Sequence, residues 1–340
     1  MNFFLGSVAA AAIALAIAYA LYRASINQPF EATHYVWSRG IALCCDKNGG
    51  VDFIKRQPGG TEDIGFDPGE FANIEEGDLV WVRLSALSQF VEEVLPTVGK
   101  RFALVTGDND LDMPSGFDRA DTVLGNPHVA HWFSQNFDGS DTSGRISGIP
   151  IGLDFHTISN KYKWGHWPTP PAAQERQLKA LVANMPPAAE RRLAVHADFH
   201  LKIHPGQKWG ERRESLEGLL RANPDVHFQD RKVRRINLWK QKTQFAFVAS
   251  PHGNGLDCHR TWESLVLGNI VIVQKSSLDP LYEGLPVVIL EDWNEITRDN
   301  LIRWRDQYAE AHRDPAVRHR LTNAYWIETM RSRVAAILEA

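Results

Sequence analysis

The chain has 340 residues, of which 44% are hydrophobic, and this length suits two globular domains of ordinary size. Its formal net charge of −4 excludes a broad basic surface for nucleic acid. Three cysteines are too few for a disulfide framework and favour a reducing compartment.

The chain begins with an uncharged stretch, residues 3–22, that is rich in Ala, Ile and Leu. As a helix it would span about 30 Å, the thickness of the bilayer core, so we expect residues 1–23 to form a transmembrane anchor. A cleaved signal peptide is the alternative, because Ala18-Tyr19-Ala20 resembles a cleavage site, but the preceding basic residues are missing. Arg23 and Lys47 follow the stretch and no cation precedes it, so the positive-inside rule predicts a cytoplasmic globular part.

Regular alternation of strands and helices begins after Gly77. Residues 79–84 are typical of a strand, residues 85–98 of a helix, and residues 102–105 of the next strand. Upstream, residues 24–76 carry turn signals, and residues 35–43 are a further predicted strand.

The strand at residues 102–105 leads into an acidic loop with Asp108, Asp110 and Asp112. Open α/β sheets bind ligands at the carboxyl ends of their strands, so this loop lies where a ligand is expected. One interpretation is an Asp-x-Asp metal site for a sugar diphosphate. We prefer a solvated turn, and a third interpretation makes Asp108 the base that deprotonates an acceptor.

Two histidines, His128 and His131, follow with a spacing of three. On a helix they would share one face, but no third metal ligand has a matching spacing. Packing or contact with an acceptor is the preferred interpretation.

A change in composition marks a domain boundary. The pairs Pro170-Pro171 and Pro186-Pro187 bracket an amphipathic helix at residues 172–184. We therefore predict one domain over residues 24–185 and a second over residues 186–312, which opens with a strand at residues 193–195.

Directly after that strand the chain reads His196-Ala197-Asp198-Phe199-His200. Alternating His, Asp and His can bind Zn²⁺ or Mn²⁺, which would make the protein a metal-dependent hydrolase. The other interpretation is a nucleotide-binding domain, in which Lys202 and Arg212 meet a diphosphate after the first strand.

The strongest pattern is a βαβ unit over residues 245–273. An apolar strand at residues 245–249 ends at Pro251, and a loop with Gly253, Asn254 and Gly255 leads into a short helix that Gly268 terminates. A second strand follows at residues 269–273. A loop at the N-terminus of such a helix binds anions.

Charged side chains accompany this loop and favour a diphosphate ligand. Arg260 and the backbone N–H groups near residues 254–257, including that of Asp257, would face the phosphates, and His252 is a possible further donor. Glu263 lies one turn into the helix. Without this context, Arg260 and Glu263 would be an ordinary exposed pair on a helix.

The same stretch resembles the nucleotide-sugar half of exostosin-type glycosyltransferases, whose core is a strand, a Pro-x-Gly loop, an Arg-x-Trp-Glu helix and an apolar strand. The residues that fill this pattern are Pro251, Gly253, Arg260, Trp262, Glu263, Leu265 and Gly268. Upstream, to about Gly77, fewer residues match the family pattern, but the matching segments occur in the same order.

The resemblance implies an α/β fold of the GT-B type, with two Rossmann-like domains that face a cleft and terminal helices, residues 313–340, that pack back across it. It implies that Glu263 binds the ribose hydroxyls of a nucleotide sugar. It also implies that the segment with Asp154 and His156 lies near the cleft, which makes both residues candidates for the general base or for sugar contacts.

We therefore predict a membrane-bound glycosyltransferase of glycan biosynthesis. It would move a sugar from a nucleotide diphosphate sugar to a hydroxyl of a glycan or lipid-linked acceptor, with inversion and without metal or another cofactor. The alternatives are the metal-dependent hydrolase described above and a non-catalytic scaffold of the same fold. Binding of UDP or GDP without metal, stoichiometric zinc or manganese, or neither would distinguish the three.

Overall fold

The computed structural model describes residues 13–14, 16–17, 19–20, 33–56, 65–159, 162–163, 165–199 and 211–340, with only the backbone at residues 211–215. Most of the predicted transmembrane segment, residues 3–22, lies outside this part. Among the described residues, no helix has the length and apolar character needed to cross a membrane.

The first sheet contains four parallel strands in the order β1-β2-β3-β4. They are β1 Leu79–Arg83, β2 Phe102–Gly107, β3 Val129–Ser134 and β4 Ile146–Gly148. β1 and β2 are buried along their whole length, as expected for a parallel sheet that is covered on both faces. The register pairs Arg83 with Gly107 and Ser134 with Gly148, so the chain leaves all four strands at one carboxyl edge.

The second sheet contains five parallel strands in the order β6-β5-β7-β8-β9. They are β5 Arg192–Ala197, β6 Val226–Phe228, β7 Phe245–Ala249, β8 Ile270–Gln274 and β9 Val287–Leu290. The strand order reverses between β5 and β7. Such a switch point opens a crevice at the carboxyl ends of the strands, where α/β proteins bind ligands.

Helices connect the strands. In chain order they are α1 Ser38–Cys44, α2 Gly50–Lys55, α3 Leu87–Gln89, α4 Ala120–Gly125, α5 Pro171–Val182, α6 Glu211–Ala222, α7 Arg235–Lys242, α8 His259–Val266, α9 Arg298–Tyr308, α10 Pro315–Arg320 and α11 Asn323–Glu339. α11 contacts α1 and β3, and its Trp326 and Met330 belong to the same apolar cluster as the first sheet. The last helix is therefore part of the core of the N-terminal half.

Hydrogen bonds join the carboxyl edges of the two sheets. The N–H of Asp257 donates to Asn136 Oδ1 at 2.8 Å, and the N–H of Ile151 donates to Asp257 Oδ2 at 2.8 Å. His259 Nδ1 donates to the carbonyl of Gly152 at 2.7 Å. Asn136 and Ile151 follow strands of the first sheet, whereas Asp257 and His259 follow β7. The two edges therefore face each other across a cleft.

Two glycines meet specific backbone requirements near this cleft. Gly152 has φ +66°, and a Cβ there would lie 2.2 Å from the carbonyl oxygen of Val36, so a side chain does not fit. Gly268 has φ +70° directly after α8, which confirms the predicted helix cap.

The structure confirms the βαβ unit and most predicted strands. His128 and His131 do not share a helix face, because residues 129–134 form the strand β3, in which Val129, Trp132 and Phe133 are buried in the middle of a parallel sheet. Residues 35–43 were expected to be a strand but contain α1, which packs against α11. The predicted helix after β1 is present, because residues 84–97 are helical without interruption and α3 continues as the π-helical turn Phe90–Val94.

Candidate functional site

At the switch point of the second sheet, one carboxylate lies between two cations. Asp198 directly follows β5, and its oxygens lie 3.0 Å from Lys242 Nζ and 3.0 Å from Arg260 Nε. Burial opposes ionisation of Asp198, but the two cations outweigh it and lower its pKa to about 2. The side chain of Lys242 is 1% exposed and that of Arg260 is 14% exposed. Arg260 is therefore the cation of this cluster that a ligand can reach.

Glu263 lies one turn after Arg260 on α8 and is held from behind. Its Oε2 accepts a hydrogen bond of 3.0 Å from Trp239 Nε1, and the residue is 8% exposed. Among the described residues, Glu263 makes no further hydrogen bond, so Oε1 is free to accept one from a ligand. A carboxylate fixed in this way can bind a pair of hydroxyl groups.

The loop between β7 and α8 has a different role from the one that we predicted for part of it. The N–H of Asp257 already donates to Asn136, so it is not available to a phosphate, and this prediction was wrong. The carboxylate of Asp257 accepts hydrogen bonds from Ile151 and Trp262. Asp257 and the buried Gly255, where a Cβ would meet Asn136 at 2.9 Å, hold the two halves together.

The remaining residues of this loop differ in their exposure to solvent. Asn254 is exposed, and Gly253 is partly buried. His252 Nδ1 donates to the carbonyl of Leu256 at 2.9 Å, a bond that shapes the loop itself. The roles of these residues in donor binding stay predictions. Lys202 lies outside the described residues, and so does the side chain of Arg212, whose backbone belongs to α6.

The carboxyl edge of the first sheet carries a second buried carboxylate. Asp108 follows β2 with φ +63°, and its Oδ2 lies 3.2 Å from Arg39 Nη2 and 3.1 Å from Arg83 Nε. Burial lowers the pKa of Arg83 to about 10, although Asp108 acts to raise it. Both guanidinium groups are completely buried. Because Asp108 is ion-paired with two buried cations, it is a poor candidate for a base or for a metal ligand.

Asp154 and His156 form an oriented pair between the two edges. Asp154 Oδ1 lies 3.3 Å from His156 Nδ1 and accepts a hydrogen bond from the N–H of Thr157. Asp154 Oδ2 lies 2.6 Å from Arg235 Nη2. Although burial acts to raise it, the pKa of Asp154 is far below its usual range because Arg235 and the neighbouring histidines favour the anion. Asp154 is therefore a fixed anion beside the imidazole of His156.

His156 is neutral at pH 7. Burial lowers its pKa to about 4, although Asp154 and Asp108 act to raise it. A neutral imidazole has one ring nitrogen that can accept a proton, and Nε2 of His156 lies 3.5 Å from the Thr157 hydroxyl. This geometry favours His156 over Asp108 as a general base.

His156 also lines a cavity of about 210 Å³ between the two edges, with His259 on the opposite half. The two imidazole rings lie 5.6 Å apart between centroids. Both polar and apolar atoms form the cavity walls. The lining residues are Ser38, Asp108, Asn109, Asp110, Ile151, His156 and His259. By volume the cavity would hold about seven water molecules, so it fits one small polar ring.

Two sets of residues carry the side-chain types that bind metal ions. Asp154, His156 and His259 offer ligand atoms within 4.8 Å of one another, but Arg235 already neutralises the Asp154 carboxylate. In the predicted hydrolase set, Asp198 is likewise neutralised by Lys242 and Arg260, and His200 lies outside the described residues. Neither carboxylate therefore offers a metal ion the uncompensated charge that it prefers.

The residues that hold the carboxylates of the site in place were not identified from the sequence. Arg39 and Arg83 hold Asp108, and Arg235, Trp239 and Lys242 hold Asp154, Glu263 and Asp198. The last three follow the i, i+4, i+7 spacing of one helix face, which could have been found in the sequence.

A scan against protein-family models finds no match, and a search of curated proteins finds none. Among solved structures, the chain is similar to an α,α-trehalose-phosphate synthase (UDP-forming) from Burkholderia vietnamiensis, at 12% identity, 80% coverage of this chain, 77% of that chain and a TM-score of 0.41. For the enzyme from Burkholderia xenovorans in complex with glucose-6-phosphate, the values are 12%, 78%, 76% and 0.38. For the catalytic domain of starch synthase IV from Arabidopsis thaliana they are 10%, 77%, 73% and 0.33. TM-scores below 0.5 do not establish a shared fold, so the function has to be inferred from the contacts of this chain.

Proposed function

We propose that the protein is a glycosyltransferase of the GT-B type that transfers a sugar from a nucleotide diphosphate sugar to a hydroxyl of a glycan or lipid-linked acceptor. The main support is the pair of facing carboxyl edges, with Arg260 and Glu263 on one wall of the cleft and His156 on the other. In this proposal, residues 186–312 hold the donor and residues 24–185 the acceptor. The motif around Arg260 and Glu263 further supports an exostosin-like enzyme.

The donor would bind at the switch point between β5 and β7. Arg260 presents a guanidinium that pairs with the diphosphate, and Glu263 presents Oε1 to the ribose hydroxyls. In the transition state, negative charge develops on the departing diphosphate. A fixed cation beside it stabilises this charge more than it stabilises the ground state, which is the condition for catalysis.

The acceptor would lie in the cavity beside His156. There, Nε2 of His156 would remove the proton of the attacking hydroxyl, while Asp154 stabilises the imidazolium that forms. A base on the side of the sugar opposite the leaving diphosphate suits a single in-line displacement. We therefore propose inversion at the anomeric carbon, which NMR of the product can check against the configuration of the donor.

We propose that the reaction proceeds without a metal ion. Charge on the leaving group would be stabilised by Arg260, whose pKa, despite the opposite effect of burial, is raised by Cys258, Asp198 and Glu263. Activity that survives an excess of EDTA supports this proposal. Activity that is lost with EDTA and restored by Mn²⁺ or Zn²⁺ contradicts it.

The membrane anchor at residues 1–23 and the cytoplasmic location of the remaining chain are also proposals. They rest on the apolar stretch at residues 3–22 and on the cations that follow it. Protease protection of an epitope on either side of the stretch, in intact membrane vesicles, tests both.

Calorimetric titration with UDP and GDP, in EDTA, tests the donor site directly. We expect saturable binding of one nucleotide, and Arg260→Ala or Glu263→Ala should each weaken it at least about 100-fold, equivalent to roughly 2.8 kcal/mol. Arg313→Ala is the matched control, because its side chain is 58% exposed and pairs only with Glu310 among the described residues. Normal nucleotide affinity in both site variants would contradict the proposed donor site.

Stoichiometric zinc or manganese in the purified protein would favour the hydrolase. Absence of both metal binding and nucleotide binding would favour a scaffold.

A further inference from the structure

One short helix bonds to three carboxylates of the proposed site. α7, Arg235–Lys242, lies between β6 and β7, and its residues 235, 239 and 242 project from one face. Each of these three side chains bonds to a different carboxylate of the cleft. The three carboxylates are Asp154, Glu263 and Asp198.

Arg235 holds the aspartate that orients His156. Its Nη2 lies 2.6 Å from Asp154 Oδ2, and its Nη1 donates to the Asp154 carbonyl at 2.6 Å and to Gln174 Oε1 at 2.8 Å. The guanidinium thus fixes both the main chain and the side chain of Asp154. The other carboxylate oxygen, Oδ1, accepts from the N–H of Thr157 and lies 3.3 Å from His156 Nδ1.

Trp239 lies one turn further along the same face and fixes Glu263. The indole is 1% exposed, and its Nε1 donates to Glu263 Oε2 at 3.0 Å. A buried indole N–H generally needs an acceptor, and this acceptor is one oxygen of the carboxylate that would bind ribose. Trp239 therefore determines which Glu263 oxygen faces the cleft.

Lys242, at the end of α7, fixes Arg260 through Asp198. Its Nζ lies 3.0 Å from Asp198 Oδ2, and Asp198 Oδ1 lies 3.0 Å from Arg260 Nε. A completely buried ammonium is unfavourable unless it is paired, and replacement of a whole buried ion pair by apolar residues is often neutral or stabilising. The ion pair is better explained by orientation of Arg260 than by stability.

We propose that α7 aligns the catalytic site, with Arg235, Trp239 and Lys242 as positioning residues for the base, the ribose carboxylate and the diphosphate guanidinium. This inference rests on the proposed function. Because the three residues belong to one rigid element, the helix sets the donor groups at a fixed distance from the acceptor base. A purely structural helix would have no reason to contact all three carboxylates.

The test uses the full-length protein and separates binding from turnover. Trp239→Phe keeps the packing and removes only the N–H donor, and Lys242→Met keeps most of the volume and removes the charge. Both should raise the Kd for UDP or GDP about tenfold. Arg235→Met should leave that Kd unchanged and lower kcat about 100-fold, with partial recovery in Arg235→Lys. Lys240→Met, on the exposed side of α7, is the matched control and should change none of these values.

The pattern of effects decides between alignment and mere packing. A structural role predicts that nucleotide affinity, kcat and thermal stability fall together in all three variants. Such a uniform fall, or wild-type values in Trp239→Phe and Arg235→Met, would overturn the inference. If the wild-type protein itself binds neither UDP nor GDP, the proposed function is wrong and the inference fails with it. Binding by the wild type with unaltered variants removes the inference alone.

Discussion

The two carboxyl edges of the cleft are built alike but use their cations differently. Each has an aspartate directly after a strand, and each aspartate is held by two cations: Asp108 by Arg39 and Arg83, and Asp198 by Lys242 and Arg260. In the first sheet both cations are completely buried. In the second sheet, Arg260 keeps 14% of its side chain exposed.

This difference separates the tasks of the two halves. In the N-terminal half, Asp108 and both of its cations are buried inside the protein, and among the described residues no Lys or Arg lines the adjoining cavity. That environment suits a neutral hydroxyl group. In the C-terminal half one guanidinium remains accessible, which suits a diphosphate. A buried ion cluster at the carboxyl edge of a sheet can therefore either leave no cation accessible to a ligand or orient a cation that binds one.

The effect of pH is the largest that we expect, because each half buries a neutral histidine. Burial lowers the pKa of His131 to about 3 and that of His196 to about 4, from 6.5. Both therefore bind a proton on unfolding below pH 6.5, so stability falls as the pH falls from about 6.5 to about 4 for His196 and to about 3 for His131, by at most roughly 3 and 5 kcal/mol respectively. Urea denaturation at several pH values measures this loss.

Single substitutions show which half of the protein causes this loss of stability at low pH. His196 makes no hydrogen bond through its ring within the described part of the chain, so His196→Leu should flatten the pH dependence of stability without loss of a bond. His131 is hydrogen-bonded to Ser147 Oγ at 2.8 Å, and His131→Asn offers that hydroxyl a polar partner in its place. His128→Gln, at a partly buried position, is the control. An unchanged slope in both buried variants would refute the assignment.

The next effect compares the two aspartates. Asp108→Asn leaves two guanidinium groups buried without a counter-charge, which should destabilise the protein by about 3 to 5 kcal/mol. Asp198→Asn should be less harmful, because Arg260 is partly exposed to water. Urea denaturation at pH 7 compares the two variants. Equal losses would mean that the two clusters do not differ in the way that we infer.

A smaller effect concerns two backbone segments, at Gly152 and Val36, that approach each other closely beside the cleft. Gly152→Ala should destabilise the N-terminal half by about 1 to 3 kcal/mol, because of its φ of +66° and the 2.2 Å contact that a Cβ would make with Val36. Gly125→Ala is the matched control. It ends α4, where a Cβ meets nothing within 4 Å, and it should be neutral or slightly stabilising. Thermal unfolding of both variants distinguishes steric strain from a general effect of added methyl groups.

Local patterns in the sequence predicted the second half well. The apolar strands, the proline that ends β7 and Gly268 after α8 are each determined by residues within a few positions of one another. The placement of Arg260 and Glu263 on one helix followed from the same local pattern. Short-range steric and hydrophobic constraints were sufficient there.

Contacts between distant residues could not be predicted in this way. Arg235 and Asp154 are 81 positions apart, and Arg39 and Asp108 are 69 apart. No periodicity relates such pairs, and a basic run like the one before Arg235 is more often solvent-exposed. Arg235 faces inward because the fold brings a buried carboxylate to it. The support of the site, unlike its ligand-binding residues, is a property of the tertiary structure.

The smallest effect is the most specific test of the acceptor side. Ser38 lines the cavity, is 2% exposed, and its Oγ makes no hydrogen bond within the described residues. A buried hydroxyl without a partner is unfavourable, so Ser38→Ala should leave stability unchanged or raise it by up to about 1 kcal/mol. If an acceptor hydroxyl supplies the missing partner, the same variant should raise the KM for the acceptor several-fold and leave the Kd for the nucleotide unchanged. Such opposite effects on stability and acceptor binding would assign the cavity to the acceptor. An unchanged acceptor KM would leave the donor site intact and remove Ser38 from the acceptor site.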